Sequence, residues 1–320
     1  MVDLNAVKAH ELLQFYNKNR YAKSYEFNEI SPVAHPINRG LGGTSLVVKN
    51  ATSNKSYFIK ALAADFNENY SFDDMVKLIK AASNKKITPN LIDHNFELGV
   101  LVFDGLSSEW DFGTVKDFRN KDVLKGAITA LNKVHKTSPL RETKTVFDRI
   151  NKLKLELLKM SSTSQDNILP EHYTMMDDYT AKIFELIEAW GFEKVPCKGE
   201  VNLSDFMLAA GHNIMLVDYD LASNGDAFSD LGYLANEISR DEEDLKNISY
   251  LYSGENNEHN LVGLRLYMIV NAFYLGLWGL IKQLNDPKSE IEYYKYGQNQ
   301  FLRCRYNINR FELGYLLKKI

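Results

Sequence analysis

Residues 195–220 read VPCKGEVNLSDFMLAAGHNIMLVDYD. Phe206 to Ala210 and Ile214 to Val217 are two short apolar runs separated by Gly211-His212-Asn213, which reads as a strand, a turn and a strand. Three acids fall around this unit: Glu200 and Asp205 before it, and Asp218 where the second apolar run stops. Hard carboxylate oxygens in such a layout suit Mg2+ and the phosphates it accompanies. A surface hairpin with acidic ends is the alternative reading.

The stretches upstream set this hairpin in a larger plan. Asp3 to Lys18 has the apolar spacing of an amphipathic helix, and Ser24 to Val33 alternates like a strand. In INRGLGGTSLVVKN (37–50), Gly40, Gly42 and Gly43 lie between two extended segments. Walker and Rossmann loops instead open a helix. A glycine-rich hairpin can lay backbone N–H groups over phosphates, although most glycine hairpins are turns and no more. Ser56 to Leu62, SYFIKAL, places Lys60 inside a strand. Ser71-Phe72-Asp73-Asp74 then starts a helix. Asp74 or Asp73 is the candidate partner of Lys60, and both acids would equally serve as first-turn complements to the helix dipole. Leu91–His94 and Gly99–Phe103 read as further strands, with Phe103-Asp104-Gly105-Leu106 as a hinge-like connector.

Beyond residue 107 the pattern turns helical, over Lys116–His135, Val146–Met160 and His172–Trp190. Leu266–Ile281 is long and apolar, yet shorter than the roughly 20 residues of a membrane span, and it is interrupted by Asn271. It reads as a buried core helix. The fold class expected is α+β: a β-rich, mainly antiparallel N-lobe over 1–103 and a mainly helical C-lobe over 104–320, with a cleft architecture.

Composition narrows the class. The 320 residues are 45% hydrophobic and 25% charged, as in an ordinary soluble globular protein. A net charge of -4 with scattered basic residues argues against a general nucleic-acid binder. Cys197 and Cys304 form neither a metal spacing nor a disulfide framework. The N-terminal residues lack the apolar core of a signal peptide. These features favour a cytoplasmic protein, monomeric or homodimeric, without a membrane span.

Several segments together resemble the choline/ethanolamine kinase family, which belongs with the aminoglycoside phosphotransferases and the protein-kinase-like fold. The strongest match is FYLGLWGLIKQL (273–284) followed by SEIEYYKYGQNQF (289–301), similar to the family's Trp-Gly-Leu-Trp helix and the Tyr-x-x-Tyr…Phe helix after it. LNKVHKTSP (131–139), GLGGTS and FIKAL add weaker matches. The family reads Cys-His-Asn-Asp-x-x-x-x-Asn where this chain has Cys197, Lys198, Gly199, Glu200 and, five further on, Asp205. Leu275 stands where the family's helix has its first tryptophan.

The resemblance implies an ATP- and Mg2+-dependent phosphotransferase acting on a small-molecule alcohol, foremost choline or a related amino alcohol. Its nucleotide-binding residues would be Gly40, Gly42, Gly43, Thr44, Ser45, Lys60, Asp74, Phe103 and Asp104. Asp218 and Asp205 would hold the metal, Glu200 would act as the base, and Lys198 would neutralise a phosphate or pair with an acid. Asp220, Glu237, Trp278, Tyr293 and Tyr296 would bind the acceptor. A quaternary ammonium donates no hydrogen bond, so aromatic faces and a carboxylate suit it. The altered loop keeps open a nucleotide-binding regulatory protein of the same fold, or a kinase for an aminoglycoside or a sugar.

Overall fold

The computed structural model describes residues 11, 13–14, 25–33, 41, 43–50, 55–63, 71–160, 169–255 and 257–314. Gly40 and Gly42 fall outside these residues, as does most of the expected helix at Asp3–Lys18. The chain forms two compact units, each assembled from two stretches. Unit 1 comprises Met1–Glu142 with Asn202–Ser223, and unit 2 comprises Thr143–Val201 with Asn224–Ile320.

Unit 1 is built on a five-stranded sheet in the order β1-β2-β3-β5-β4, antiparallel throughout. Its strands are β1 (Tyr25–Glu29), β2 (Gly43–Asn50), β3 (Ser56–Leu62), β4 (Leu91–Asn95) and β5 (Val100–Asp104). Alternate residues of the central strands, Leu46 and Val48, Tyr57, Ile59 and Ala61, Val100 and Val102, bury one face together with Leu13. Successive side chains in a strand point to opposite faces. Lys60 therefore leaves β3 on the face opposite this core.

Helix α1 (Phe72–Asn84) buries Phe72, Met75, Leu78, Ile79 and Ala82, the i, i+3, i+4 stripe of an amphipathic helix. The helix α2 (Lys121–His135) begins five residues later than its periodicity suggests. Asp117 instead accepts the Thr114 N–H at 2.9 Å, and Asn120 caps α2 by accepting the Asp122 N–H. The second stretch of unit 1 supplies β8 (Phe206–Ala209) and β9 (Asn213–Leu216), which form a three-stranded sheet with β6 (Asp111–Phe112). The hairpin and its turn thus lie where the sequence places them, and Gly211 takes a positive φ of 76° in the turn.

Unit 2 contains β7 (Val195–Cys197), paired with β10 (Ser223–Gly225), and the helices α3 (Val146–Met160), α4 (Tyr173–Trp190), α5 (Ala227–Ile238), α6 (Glu242–Ser253), α7 (Glu258–Asn285) and α8 (Tyr293–Arg310). Its centre is α7, apolar on nearly every side. By length and composition α7 could cross a membrane, but 89% of its apolar window is buried within the fold. It matches the expected core helix. Its buried polar residue, Asn271, donates from Nδ2 to the Ser229 carbonyl at 2.8 Å. Helix α8 approaches α7 at Gly279, where an added Cβ would sit 2.8 Å from the Gly297 Cα. A mainly antiparallel β part followed by a larger helical part is the expected α+β class.

Candidate functional site

The hairpin's position in unit 1 is fixed by backbone and side-chain bonds at both ends. The Leu216 N–H donates to the Ile87 carbonyl at 2.7 Å, and Thr88 Oγ1 donates back to the Leu216 carbonyl. The Val217 N–H donates to the Asp205 carbonyl at 2.8 Å. That bond brings two expected metal residues, Asp205 and Asp218, to one end of the hairpin. Asp205 is buried, and its Oδ2 accepts the Asn202 N–H at 2.9 Å, capping the short turn that precedes β8. Asp218 has φ +64°, a left-handed backbone that aspartate tolerates better than most residues. Such a conformation costs on the order of 1–3 kcal/mol and clusters at functional sites.

This turn carries Asp218 and Asp220 to Lys60. Lys60 Nζ donates to Asp218 Oδ1 at 3.0 Å and to Asp220 Oδ2 at 2.7 Å. The Lys60 and Asp220 side chains are each 10% exposed, whereas that of Asp218 is 39% exposed. Burial by itself would lower the Lys60 pKa. The charges of Asp218 and Asp220 more than reverse this and hold the ammonium protonated well beyond the ordinary lysine range. Burial raises the Asp220 pKa, and the Asp218 charge raises it further, with Lys60 opposing both.

One expectation needs correction here. Lys60 pairs with Asp218 and Asp220, not with an acid of the following helix. Asp74 is buried and instead accepts the N–H groups of Arg141 at 2.9 Å and Glu142 at 2.8 Å. Of the two, Asp220 is the nearer partner of Lys60. Of the other nucleotide candidates, Gly43, Thr44 and Ser45 pair with Leu62, Ala61 and Lys60 across β2 and β3. Phe103 faces Phe58, with ring centroids 6.2 Å apart, and Asp104 accepts from Asn90 Nδ2 at 3.1 Å.

The donor chemistry of unit 1 fits a divalent cation. Asp218 and Asp205 offer hard carboxylate oxygens at adjacent places in the fold, and such oxygens hold Mg2+ alongside substrate phosphates.

In unit 2, the turn Lys198-Gly199-Glu200 follows β7 and hangs on Asp230 of α5. Asp230 is fully buried, and its two oxygens accept the N–H groups of Lys198 at 2.8 Å and Gly199 at 2.9 Å. Gly199 has φ +94°, a conformation open to glycine and costly to other residues. Lys198 is buried and donates from Nζ to the Glu200 carbonyl at 2.6 Å. Its ammonium thus bonds the main chain of the turn. Arg149 of α3 donates from Nη1 to the Gly199 carbonyl at 3.3 Å.

The surroundings of Glu200 include residues with no sequence signal of their own. Burial raises the Tyr233 and Tyr274 pKa values, and the Glu200 charge adds to the rise in both. Trp278 meets the edges of Tyr293 and Tyr296 at centroid distances of 5.6 and 5.8 Å, so these three expected acceptor residues come together. Lys282 Nζ lies 5.8 Å from the Trp278 ring centroid. Glu237 stands on α5 beside Asn236, which donates to the Met268 carbonyl of α7 at 2.8 Å.

By sequence, no protein-family model and no curated protein matches the chain. Solved structures do match it along nearly its whole length. A choline/ethanolamine kinase family protein from Mesorhizobium loti aligns with a TM-score of 0.75 at 16% identity, over 97% of this chain and 96% of that one. The choline kinase LicA from Streptococcus pneumoniae aligns with a TM-score of 0.74 at 14% identity, over 94% and 99%. A spectinomycin phosphotransferase solved with ADP and spectinomycin aligns with a TM-score of 0.59 at 14% identity, over 90% and 93%. The chain has the kinase-like fold that choline/ethanolamine kinases share with aminoglycoside phosphotransferases.

Proposed function

We propose that the chain is an ATP-dependent phosphotransferase that acts on the hydroxyl of a small molecule, with choline or a related amino alcohol as the leading acceptor. The observation that carries this reading is the Lys60 ion pair with Asp218 and Asp220. It puts a buried cation beside carboxylates of the kind that hold Mg2+, within a fold whose solved examples include a choline kinase and a spectinomycin phosphotransferase. Lys60 would hold the nucleotide phosphates. Asp218 and Asp205 would hold Mg2+, which neutralises phosphate charge when bound. Glu200 would accept the hydroxyl proton as the acceptor oxygen bonds to the γ-phosphorus and the bond to the β-phosphate oxygen breaks. Trp278, Tyr293 and Tyr296 would face the acceptor's cationic end, with Glu237 as its counter-charge. The proposed location is the cytoplasm.

Nucleotide binding without transfer is the second reading. It is favoured by the Lys198 ammonium, which donates to the main chain of the turn. A coupled ADP-release assay over a panel of amino alcohols, aminoglycosides and sugars, run beside Glu200→Ala, separates the two. Turnover on an amino alcohol that falls at least 100-fold in the variant supports transfer with Glu200 as base. Mg-ATP binding with no turnover on any acceptor would sink it in favour of the second reading.

A further inference from the structure

A lysine in a short polar turn ordinarily stays in water, because burying an ammonium is costly unless it is compensated. Lys198 is 2% exposed. Within the turn its Nζ donates to the Glu200 carbonyl at 2.6 Å, and its own N–H ends on the carboxylate of Asp230. The backbone of residues 198–200 is thereby gripped at three points. Asp230 holds two N–H groups, Arg149 holds the Gly199 carbonyl, and Lys198 holds the Glu200 carbonyl. The first two grips act on residues 198 and 199. Lys198 reaches past Gly199 to Glu200 itself.

We propose that Lys198 is a positioning residue: its buried ammonium closes the 198–200 turn across Gly199 and so fixes the backbone from which the Glu200 carboxylate projects. The proposal rests on Glu200 being the base of the reaction proposed above. A glycine at 199 lets the turn adopt φ +94°, and it equally lets the turn relax into other conformations. A displacement of about 1 Å at a reacting group costs on the order of 100-fold in rate. A clamp on this one carbonyl therefore has a large kinetic lever.

The experiment compares the full chain with Lys198→Met, Lys198→Arg and the exposed-site control Lys152→Met. It measures steady-state transfer to the best acceptor and backbone amide exchange over 198–200. Lys198→Met is expected to lower kcat roughly 100-fold with KM for ATP within about twofold, and to speed amide exchange at 198–200 at least tenfold. Lys198→Arg, which keeps a cationic donor, is expected to regain part of kcat, and Lys152→Met to match the parent in both. Full kcat in Lys198→Met overturns the proposal, as does unchanged exchange in the turn. A parent chain that transfers no phosphate defeats the kinase reading by itself. The exchange readout then decides alone: faster exchange confined to the turn upholds the clamp, and parent-like protection overturns it. If Lys198→Met does not fold, Lys198→Leu, which also removes the donor, is judged by the same two measurements: slower turnover with a faster-exchanging turn upholds the clamp, and parental values in both overturn it.

Discussion

Replacing Lys60 by methionine tests the ion-pair centre of unit 1. Methionine keeps the apolar stem and removes the ammonium, leaving Asp220 buried with Asp218 close by. The Asp220 N–H lies 3.5 Å from Asp218 Oδ1. Removing one partner of a buried ion pair costs about 3–5 kcal/mol, because the remaining charge is left uncompensated. The half-exposed Asp218 contributes little to that figure, since solvent screens it. The Asp220 contact at 2.7 Å dominates. The variant has an escape, in that Asp220 takes up a proton.

From its ordinary value of 3.8, neutralising a carboxylate at pH 7 costs about 4 kcal/mol, which caps the loss. The parent already carries part of this strain, because its Asp220 pKa is raised despite Lys60. The expected loss is therefore about 3 kcal/mol at pH 7. In the variant the folded state binds a proton that the unfolded state releases above its ordinary pKa, so stability rises as pH falls. The parent's Asp220, raised to about 7, takes up the same proton below pH 7, so the deficit changes little there; at pH 9, where the variant alone keeps the proton, it is expected to widen by about 1–2 kcal/mol. Urea unfolding of parent and variant at both pH values measures this, and Lys60→Met with Asp220→Asn is expected to recover to within about 1 kcal/mol of the parent. A variant as stable as the parent at pH 7 would refute the reasoning, as would a deficit that does not widen at pH 9.

Three further outcomes follow from the same geometry. Gly279→Ala places a Cβ within 3.0 Å of three backbone atoms of α8, so overpacking of about 1–3 kcal/mol outweighs a helix-propensity gain of about 1 kcal/mol, with the Trp278 emission shifted because Tyr293 and Tyr296 move. By contrast Gly263→Ala, whose nearest neighbour is 3.8 Å away, is expected to raise the urea midpoint. Asp74→Ala strips the acceptor from two N–H groups and costs about 2–4 kcal/mol, while ATP affinity, measured by calorimetry, stays within about twofold because Lys60 is held elsewhere. Alkaline stability is the third. Burial raises the pKa of Tyr233, Tyr267, Tyr274, Cys197 and Cys304, so above pH ~9 the unfolded chain releases protons that the folded chain keeps. Stability is then lost as pH rises, by up to about 1.4 kcal/mol per unit for each group, and pH-resolved melting from 8 to 11 checks it.

Elements governed by local pattern were legible in the chain. Strand β3 spans Ser56–Leu62 and α3 spans Val146–Met160, as their periodicity implies, because each buries one stripe and is bounded by turn residues. The start of α2 was misplaced, because side-chain bonds from Asp117 and Asn120 outcompete periodicity at its first turn. Within the site, Lys60 and Asp218 are marked by strand context, but their pairing spans 158 residues and leaves no local trace. Asp74, on the helix that follows β3, attracts the assignment and proves to serve two backbone amides. Lys198 was the least legible of all. The sequence offers it a phosphate or an acid, and its bonds to the Glu200 carbonyl and, from its N–H, to Asp230 thirty-two residues on leave no local sign.

The interleaved course of the chain governs how the protein can be cut. Unit 1 takes its sheet from the first stretch and Asp218 and Asp220 from Asn202–Ser223. A fragment ending at residue 142 would retain the buried lysine and lose both of its anions, along with the hairpin that donates to Ile87. Excising residues 202–223 from the remainder would sever unit 2 between Val201 and Asn224. Two-piece complementation therefore requires breaks inside loops of one unit, such as between α4 and β7, and a split at the apparent end of the β-rich stretch separates Lys60 from the carboxylates that neutralise it.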